Sequence, residues 1–210
     1  MAELIRGLDA TRIARNLEQV REEIGRDDVE ILAAVKYVGL EELGTLAEAG
    51  ITVVGENRAQ ELEAKRQAHP GFMWDFIGQL QSRKVKNVLP LVRYVHSVCT
   101  DSALAQLEKH GTPDTRILIE VNVAGEEGKA GIAPTDLGEF RERCPVHVAG
   151  LMTMPPYAEK PEDSRRWFAA LAQLAADHGL RELSMGTTQD FAVAAQEGAT
   201  IVRIGTRLYT

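Results

Sequence analysis

Short apolar runs alternate along the chain with stretches in which apolar residues recur every three or four positions. The runs predict eight strands, at 29–36, 51–55, 73–78, 93–98, 116–123, 146–153, 182–186 and 200–205. The periodic stretches predict eight helices, at 8–25, 40–49, 56–68, 80–89, 101–110, 134–142, 161–178 and 188–197. Capping residues support two of these helices, because Thr100 precedes one and Gly179 ends another.

The order of these elements predicts the architecture. Several strands are continuous apolar runs, which is typical of a parallel sheet covered by helices. Eight strand–helix units predict an α/β fold, a single (β/α)8 barrel of the TIM type that forms one domain over residues 1–210. Because no predicted helix follows the last strand, we expect the N-terminal helix at 8–25 to complete the outer ring. An open doubly wound sheet normally has fewer parallel strands for this length.

Charge and composition exclude several classes of function. The net charge of −7 argues against broad binding to nucleic acid or to an anionic membrane. No apolar run approaches the roughly 20 residues of a membrane span, and the charged amphipathic N-terminus does not resemble a signal peptide. The histidines and the two cysteines, Cys99 and Cys144, lack metal-ligand or disulfide spacing. We therefore expect a cytoplasmic monomer with no metal site.

The barrel prediction places candidate functional residues at the carboxyl ends of the strands, where such barrels have their active sites. Lys36 ends the first strand and interrupts the apolar run ILAAVKYVGL, although lysine is rarely buried without a partner. Asn57 follows the second strand, and Gly78 ends the third. The stretches MGTTQDF and IGTR follow the last two strands and combine glycine with hydroxyl side chains, which suits phosphate.

A lysine beside a phosphate site suits a phosphorylated aldehyde, because its amine can form a Schiff base. Pyridoxal 5′-phosphate (PLP) is such an aldehyde, and Arg203 could contact its ring nitrogen. Sugar-phosphate aldolases also pair a lysine with a phosphate site, so the chemistry alone leaves the ligand open. Taken singly, Lys36 could be a strand-end lysine with its ammonium in water, and Thr187 or Thr188 could be a helix cap.

Segments along nearly the whole chain resemble the YggS/PROSC family of PLP homeostasis proteins. They are AVKYV, GENRAQE, FIGQLQSRKVKNV, VNVAGEEGKAGI, GLMTMPP, LSMGTTQDF and VRIGTRLY. The resemblance implies a barrel like the N-terminal domain of bacterial alanine racemase, which is PLP fold type III. It implies a protein that buffers or delivers PLP in vitamin B6 and amino-acid homeostasis, without an established catalytic reaction. Its partners would be PLP itself and PLP-dependent apoenzymes.

The resemblance also implies roles for individual residues. Lys36 would hold PLP as a Schiff base, and Arg203 would face the pyridine nitrogen. Thr188, Gly205 and Thr206 would bind the phosphate, and Lys129 matches a secondary PLP contact of the family. With the strand ends, the predicted cofactor-binding set is Lys36, Asn57, Gly78, Met185, Thr188, Arg203, Gly205 and Thr206.

The chain departs from the family pattern in several places: Thr188 replaces the usual serine, Asp75 stands where histidine is common, and Arg83 stands where asparagine is common. The end, RLYT, lacks the usual Phe-Gly and short basic tail. The alternative function is a PLP-dependent amino-acid racemase or decarboxylase. Racemisation needs acid–base groups on both faces of the substrate, and no tyrosine is clearly placed as a second base. We therefore expect a carrier rather than an enzyme, with at most weak residual racemase activity.

Overall fold

The computed structural model describes residues 4–210 and contains one closed barrel of eight parallel strands. The strands pair in chain order, and the last pairs with the first. This confirms the predicted (β/α)8 fold. The strands are β1 Glu30–Ala34, β2 Val53–Glu56, β3 Met73–Phe76, β4 Tyr94–Val98, β5 Arg116–Glu120, β6 His147–Met152, β7 Glu182–Thr187 and β8 Ile201–Ile204.

Helices follow the strands and cover the barrel. They are α1 Ala10–Ile24, α2 Leu43–Glu48, α3 Ala59–Ala68, α4 Val85–Val88, α5 Asp101–His110, α6 Leu137–Glu142, α7 Arg165–Asp177, α8 Phe191–Gln196 and α9 Thr206–Tyr209. The helix predicted at 80–89 is one α-turn, α4, between two 3₁₀ turns, Ser82–Lys84 and Leu89–Leu91. Pro90, within the second turn, has no N–H to continue the helical pattern.

The outer ring is completed as expected by α1, but a short helix also follows the last strand. The prediction that no helix follows β8 was wrong, because α9 forms one turn there. The helix α1 packs against α2, α8 and α9. Asn16 on α1 is buried, and its side-chain amide donates hydrogen bonds of 3.1 Å to the carbonyls of Leu208 and Thr210.

The strands separate two buried regions. Alternate strand residues point outward into the main apolar layer between barrel and helices. The others point into the barrel, where Leu32, Val53, Tyr94 and Ile201 form a small apolar cluster. Buried polar side chains also lie on the strands, and the site depends on them. Among residues 4–210, no helix has the length and apolar character that a bilayer span requires.

Candidate functional site

A cleft of about 480 Å³ opens at the carboxyl ends of the strands. Seven of the eight predicted residues line it: Lys36, Asn57, Gly78, Thr188, Arg203, Gly205 and Thr206. Met185 does not, because its side chain is fully buried in the apolar layer between barrel and helices. The barrel therefore brings together residues that are up to 170 positions apart in the sequence.

Lys36 lies just beyond β1, in a turn, rather than on the strand itself as predicted. It is half-buried, and its Nζ atom lies 4.7 Å from the centroid of the Tyr37 ring. The turn is fixed on both sides: the Val35 N–H donates to Gly55 O at 2.9 Å, and the Tyr209 hydroxyl donates to Ala34 O at 3.1 Å. Within residues 4–210, Lys36 forms no salt bridge, so its amine is available to a ligand in the cleft.

A buried ion pair supports this turn, and the sequence analysis missed it. Lys65 on α3 donates to Glu56 Oε2 at 2.6 Å and to the Val35 carbonyl at 2.8 Å. Glu56 Oε1 accepts the backbone N–H groups of Asn57 and Arg58, at 2.7 and 2.9 Å. One pair thus connects the end of β2, the helix α3 and the turn that carries Lys36. The sequence signal was a glutamate at a strand end followed by a lysine on the buried face of the next helix.

The loops after β7 and β8 are joined by a direct hydrogen bond. Thr188 Oγ1 accepts the Gly205 N–H at 3.0 Å, so its hydroxyl hydrogen remains for another acceptor. The alternative in which Thr188 caps the following helix is wrong, because α8 begins at Phe191 and Thr187 instead contacts Asp190 Oδ1 through its N–H, at 2.8 Å. A Cβ added to Gly205 would lie 3.9 Å from Thr188 Oγ1 and 4.0 Å from Ala34 Cβ, so an atom of a ligand can contact this backbone without a clash.

The loops after β2 and β3 also approach closely at the cleft. A Cβ on Gly78 would lie 2.1 Å from the Asn57 carbonyl oxygen, so only glycine fits there. Asn57 lines the cleft, and its Oδ1 atom is buried without a hydrogen-bond partner in residues 4–210. An orphaned buried acceptor is rare in folded proteins, and a ligand that carries a donor would satisfy it.

Arg203 on β8 supplies a buried positive charge to the cleft. Its Nη1 atom donates to the Ser184 carbonyl at 2.9 Å and to Ser184 Oγ at 2.6 Å, and its Nη2 atom donates to the Thr153 carbonyl at 2.9 Å. Burial lowers the pKa of Arg203 to about 10, and the group therefore stays protonated at neutral pH. Its Nε–H has no hydrogen-bond partner within the described part of the chain and remains for a ligand.

Glu120 at the end of β5 is a second polar residue that the sequence analysis missed. It lines the cleft and is 7% exposed. Burial raises the pKa of Glu120, whereas the positive charge of Arg203 opposes this shift. The Cys99 Sγ atom lies 3.9 Å from its carboxylate. A strand-end glutamate in an apolar run was the available sequence signal.

Lys129 lies outside the cleft, which differs from the contact that the resemblance implies. Its side chain is exposed, and its Nζ atom lies 3.9 Å from Glu126 Oε2. The adjacent Ala130 does line the cleft. Within residues 4–210, no cluster of three His, Cys, Asp or Glu residues is arranged to hold a metal ion. Cys99 and Cys144 are both free, half-buried thiols.

His96 on β4 is fully buried and should make stability depend on pH. Burial lowers the pKa of His96 below 6.5, although Asp75 opposes the shift. Below pH 6.5 the unfolded histidine therefore binds a proton that the folded one does not, and the unfolding free energy falls as the pH decreases. We expect urea denaturation to show this fall between about pH 6.5 and pH 5. His96→Asn should weaken this dependence of the unfolding free energy on pH. His147→Asn, at an exposed position, should leave the dependence unchanged. The same dependence in both variants and the wild type would contradict the role of His96.

The chain is similar to known proteins over nearly its whole length. The family model for the alanine racemase N-terminal domain matches residues 8–210. A pyridoxal phosphate homeostasis protein from Aquifex aeolicus is 40% identical over 94% of this chain and 96% of its own length. One from Pseudomonas aeruginosa is 34% identical over 94% of this chain and 92% of its own. These matches confirm the family resemblance.

Solved structures show the same fold. PipY of Synechococcus elongatus, solved with PLP bound, has a TM-score of 0.82 at 27% identity and covers 94% of this chain and 100% of its own. An alanine racemase from Corynebacterium glutamicum has a TM-score of 0.74 at 15% identity, over 96% of this chain and 61% of its own. A lysine/ornithine decarboxylase from Vibrio vulnificus has a TM-score of 0.74 at 14% identity, over 96% of this chain and 62% of its own. At such low identity the two enzymes show the fold alone.

Proposed function

The chain belongs to the alanine racemase N-terminal domain family and, within it, to the pyridoxal phosphate homeostasis proteins, and from this premise we propose that its cleft holds PLP for storage and delivery. The protein is a PLP-binding protein of vitamin B6 homeostasis, and its cofactor is PLP. The observation that carries the proposal is the meeting of Lys36, Arg203 and the Thr188–Gly205 loop pair in one cleft.

The residues of the cleft fit the chemical groups of PLP. The Thr188 hydroxyl and the loop backbone at Gly205 suit the phosphate, since a hydroxyl hydrogen remains free to donate and an atom placed against Gly205 meets no clash. The free Nε–H of Arg203 suits the pyridine nitrogen. The orphaned Oδ1 atom of Asn57 suits a donor on the ligand. Together these groups match both the anionic phosphate and the aromatic ring of PLP.

We propose that Lys36 forms a Schiff base with the aldehyde carbon of the bound cofactor. The amine adds to the carbonyl, a C=N bond replaces the C=O bond, and one water molecule leaves. PLP supplies a reactive aldehyde and a ring that can accept electrons. Because Arg203 is positively charged and can only donate, it disfavours a proton on the ring nitrogen. The ring is then a weaker electron acceptor, which suits storage better than catalysis.

We propose a carrier rather than an enzyme. Burial raises the pKa of Tyr209, and its hydroxyl is already committed to the Ala34 carbonyl, so it is a poor acid–base group. The test is to titrate the purified protein with PLP by absorbance and then to assay amino-acid racemisation and decarboxylation. We expect saturable binding and turnover well below about one per second. Turnover at ordinary enzyme rates would overturn the carrier role.

We propose that the carrier is a cytoplasmic monomer and that it donates PLP to PLP-dependent apoenzymes. Its two free thiols suit a reducing compartment. Delivery can be measured by mixing the PLP-loaded protein with an apo-aminotransferase and following the recovery of transaminase activity. The control contains PLP without the carrier, at the free PLP concentration that is present beside the loaded protein. Faster recovery of activity with the loaded protein would support direct delivery, and equal recovery would contradict it.

Thr188→Ala is expected to weaken PLP binding by roughly 1–2 kcal/mol, which is about 5- to 30-fold in Kd. The variant loses the hydroxyl that would donate to the phosphate and also leaves the Gly205 N–H without its acceptor. Equilibrium dialysis gives the Kd. Thr188→Ser is the matched control, since it keeps the hydroxyl, and should bind like the wild type. An unchanged Kd in Thr188→Ala would contradict the proposal that the phosphate binds at these two loops.

A further inference from the structure

A chain of buried polar side chains leads from Arg203 into the barrel interior. Ser184 Oγ on β7 accepts from Arg203 Nη1 at 2.6 Å. Beyond it, His96 Nδ1 lies 2.8 Å from Ser184 Oγ, and His96 Nε2 lies 3.1 Å from Asp75 Oδ2. Ser184, His96 and Asp75 each have 0% of their surface exposed. Such a network specifies one arrangement of its members only if every group is satisfied.

The far end of the chain is anchored by an arginine. Arg93 donates to both oxygens of Asp75, from Nε at 3.1 Å and from Nη2 at 2.7 Å, and its Nη1 atom donates to Glu30 at 2.8 Å. The Tyr94 N–H donates to Asp75 Oδ1 at 3.2 Å. Burial alone would raise the pKa of Asp75, but the hydrogen bonds from His96 and Arg93 hold it below the ordinary value. The carboxylate is therefore ionised and can only accept.

This fixed acceptor determines where each proton in the chain lies. Because Asp75 only accepts, His96 must donate from Nε2, and its Nδ1 atom is then an acceptor. The Ser184 hydroxyl must donate to Nδ1, which turns its lone pairs toward Arg203. Each hydrogen bond thus sets the direction of the next, and the last one reaches the guanidinium that lines the cleft.

We propose that His96 is a positioning residue that acts through Ser184 to fix the orientation of the Arg203 guanidinium, and with it the donor offered to the ring nitrogen of bound PLP. This rests on the proposed function. Without an acceptor at Nδ1, the Ser184 hydrogen would be free to turn toward Arg203 and to compete with its N–H. The arginine would then lose one of its fixed contacts, and the environment of the ring nitrogen would change.

The test uses two variants that break the chain next to Arg203 and one that keeps only the acceptor at the Nδ1 position. Ser184→Ala removes the relay hydroxyl, and His96→Leu removes the acceptor at Nδ1. His96→Asn keeps a side-chain oxygen close to the Nδ1 position, because that atom and an asparagine Oδ1 are equally far along the side chain, but it loses the Nε2–H that donates to Asp75. Ser164→Ala is the matched control: Ser164 is also a buried serine, but its Oγ has no hydrogen-bond partner in the described residues and it does not line the cleft.

The first measurement is the PLP affinity of each variant, with the absorbance maximum of the bound cofactor recorded against pH. We expect Ser184→Ala and His96→Leu to bind roughly 5- to 10-fold more weakly and to shift the pH at which the absorbance changes. Ser164→Ala should match the wild type, and His96→Asn, which keeps the acceptor, should bind PLP more tightly than His96→Leu. Wild-type affinity and spectra in both disrupted variants would overturn the proposal. If His96→Leu does not fold, the PLP affinity and the spectrum of Ser184→Ala, which is a smaller change, test the proposal alone.

The second measurement needs no cofactor. Imidazole ¹⁵N NMR of the ligand-free protein should show His96 protonated at Nε2 and bare at Nδ1. The Arg203 Nε–H signal should shift in Ser184→Ala but not in Ser164→Ala. The opposite tautomer, or an unmoved Arg203 signal, would overturn the relay even if the wild type binds PLP. Failure of the wild type to bind PLP would instead refute the proposed function. The NMR result would still test whether His96 and Ser184 orient the Arg203 guanidinium.

Discussion

Lys36→Ala is expected to abolish covalent capture of PLP. Wild-type protein treated with PLP and then with borohydride should gain the mass of one reduced cofactor, with the modification on the peptide that contains Lys36. The variant should gain none. The reason is the composition of the cleft, because among the described residues that line it Lys36 is the one lysine. Mass spectrometry of the intact protein and of its peptides measures both results.

The same substitution should leave the barrel folded. Lys36 is half-buried, and its Nζ atom lies over the face of the Tyr37 ring, a contact that contributes about 1 kcal/mol or less. Circular dichroism and urea denaturation should therefore resemble those of the wild type. Lys109→Ala, on the last turn of α5, is the control and should keep full labelling. Labelling that persists in Lys36→Ala would place the Schiff base on another lysine, and an unfolded variant would make Lys36 structural.

Lys65→Met is expected to destabilise the fold by about 3–5 kcal/mol. Lys65 is 4% exposed and Glu56 is 0% exposed, so the substitution would leave a buried carboxylate without its partner. The Val35 carbonyl would lose its donor at the same time. Urea denaturation measures the loss. Because Val35 precedes Lys36, the variant should also bind PLP more weakly than the wild type.

Two further variants test whether the cost arises from the unpaired charge. The double variant Glu56→Gln with Lys65→Met removes both charges and should recover a large part of the stability, since apolar or neutral replacement of a whole buried pair is often tolerated. Arg21→Met breaks the exposed pair with Glu18 and should cost less than about 1 kcal/mol. A small effect in Lys65→Met, similar to that in Arg21→Met, would show that the buried pair contributes little.

The fold could be predicted because each strand–helix unit carries its own local pattern. Eight apolar runs separated by periodic stretches specify the barrel, and barrel geometry then brings Lys36, Asn57 and Arg203 to one end. Seven members of the predicted set line the cleft, and their roles toward PLP stay predictions. That residues 1–210 act as a single domain also stays a prediction.

What the sequence could not predict depends on side-chain direction and on long-range partners. Met185 was placed in the site because it lies near a strand end, but alternation along β7 turns its side chain outward while the neighbouring Ser184 takes part in the network behind Arg203. The pairing of Glu56 with Lys65 needs the fixed position of α3 against β2. The contact of Asp75 with Arg93 needs two adjacent strands in register. None of these has a local pattern of its own.

The joining of the first and last elements has a consequence for how the protein is made. Glu30 on β1 pairs with Ile201 on β8, and Tyr209 donates to the Ala34 carbonyl beside the Lys36 turn. The ribosome must therefore synthesise residues through Tyr209 before the barrel can close and the cleft can take its final shape. Contacts of such long sequence separation fold slowly, and partly synthesised chains expose unpaired strand edges. The ability to capture PLP should thus appear late in synthesis and report that the barrel has closed.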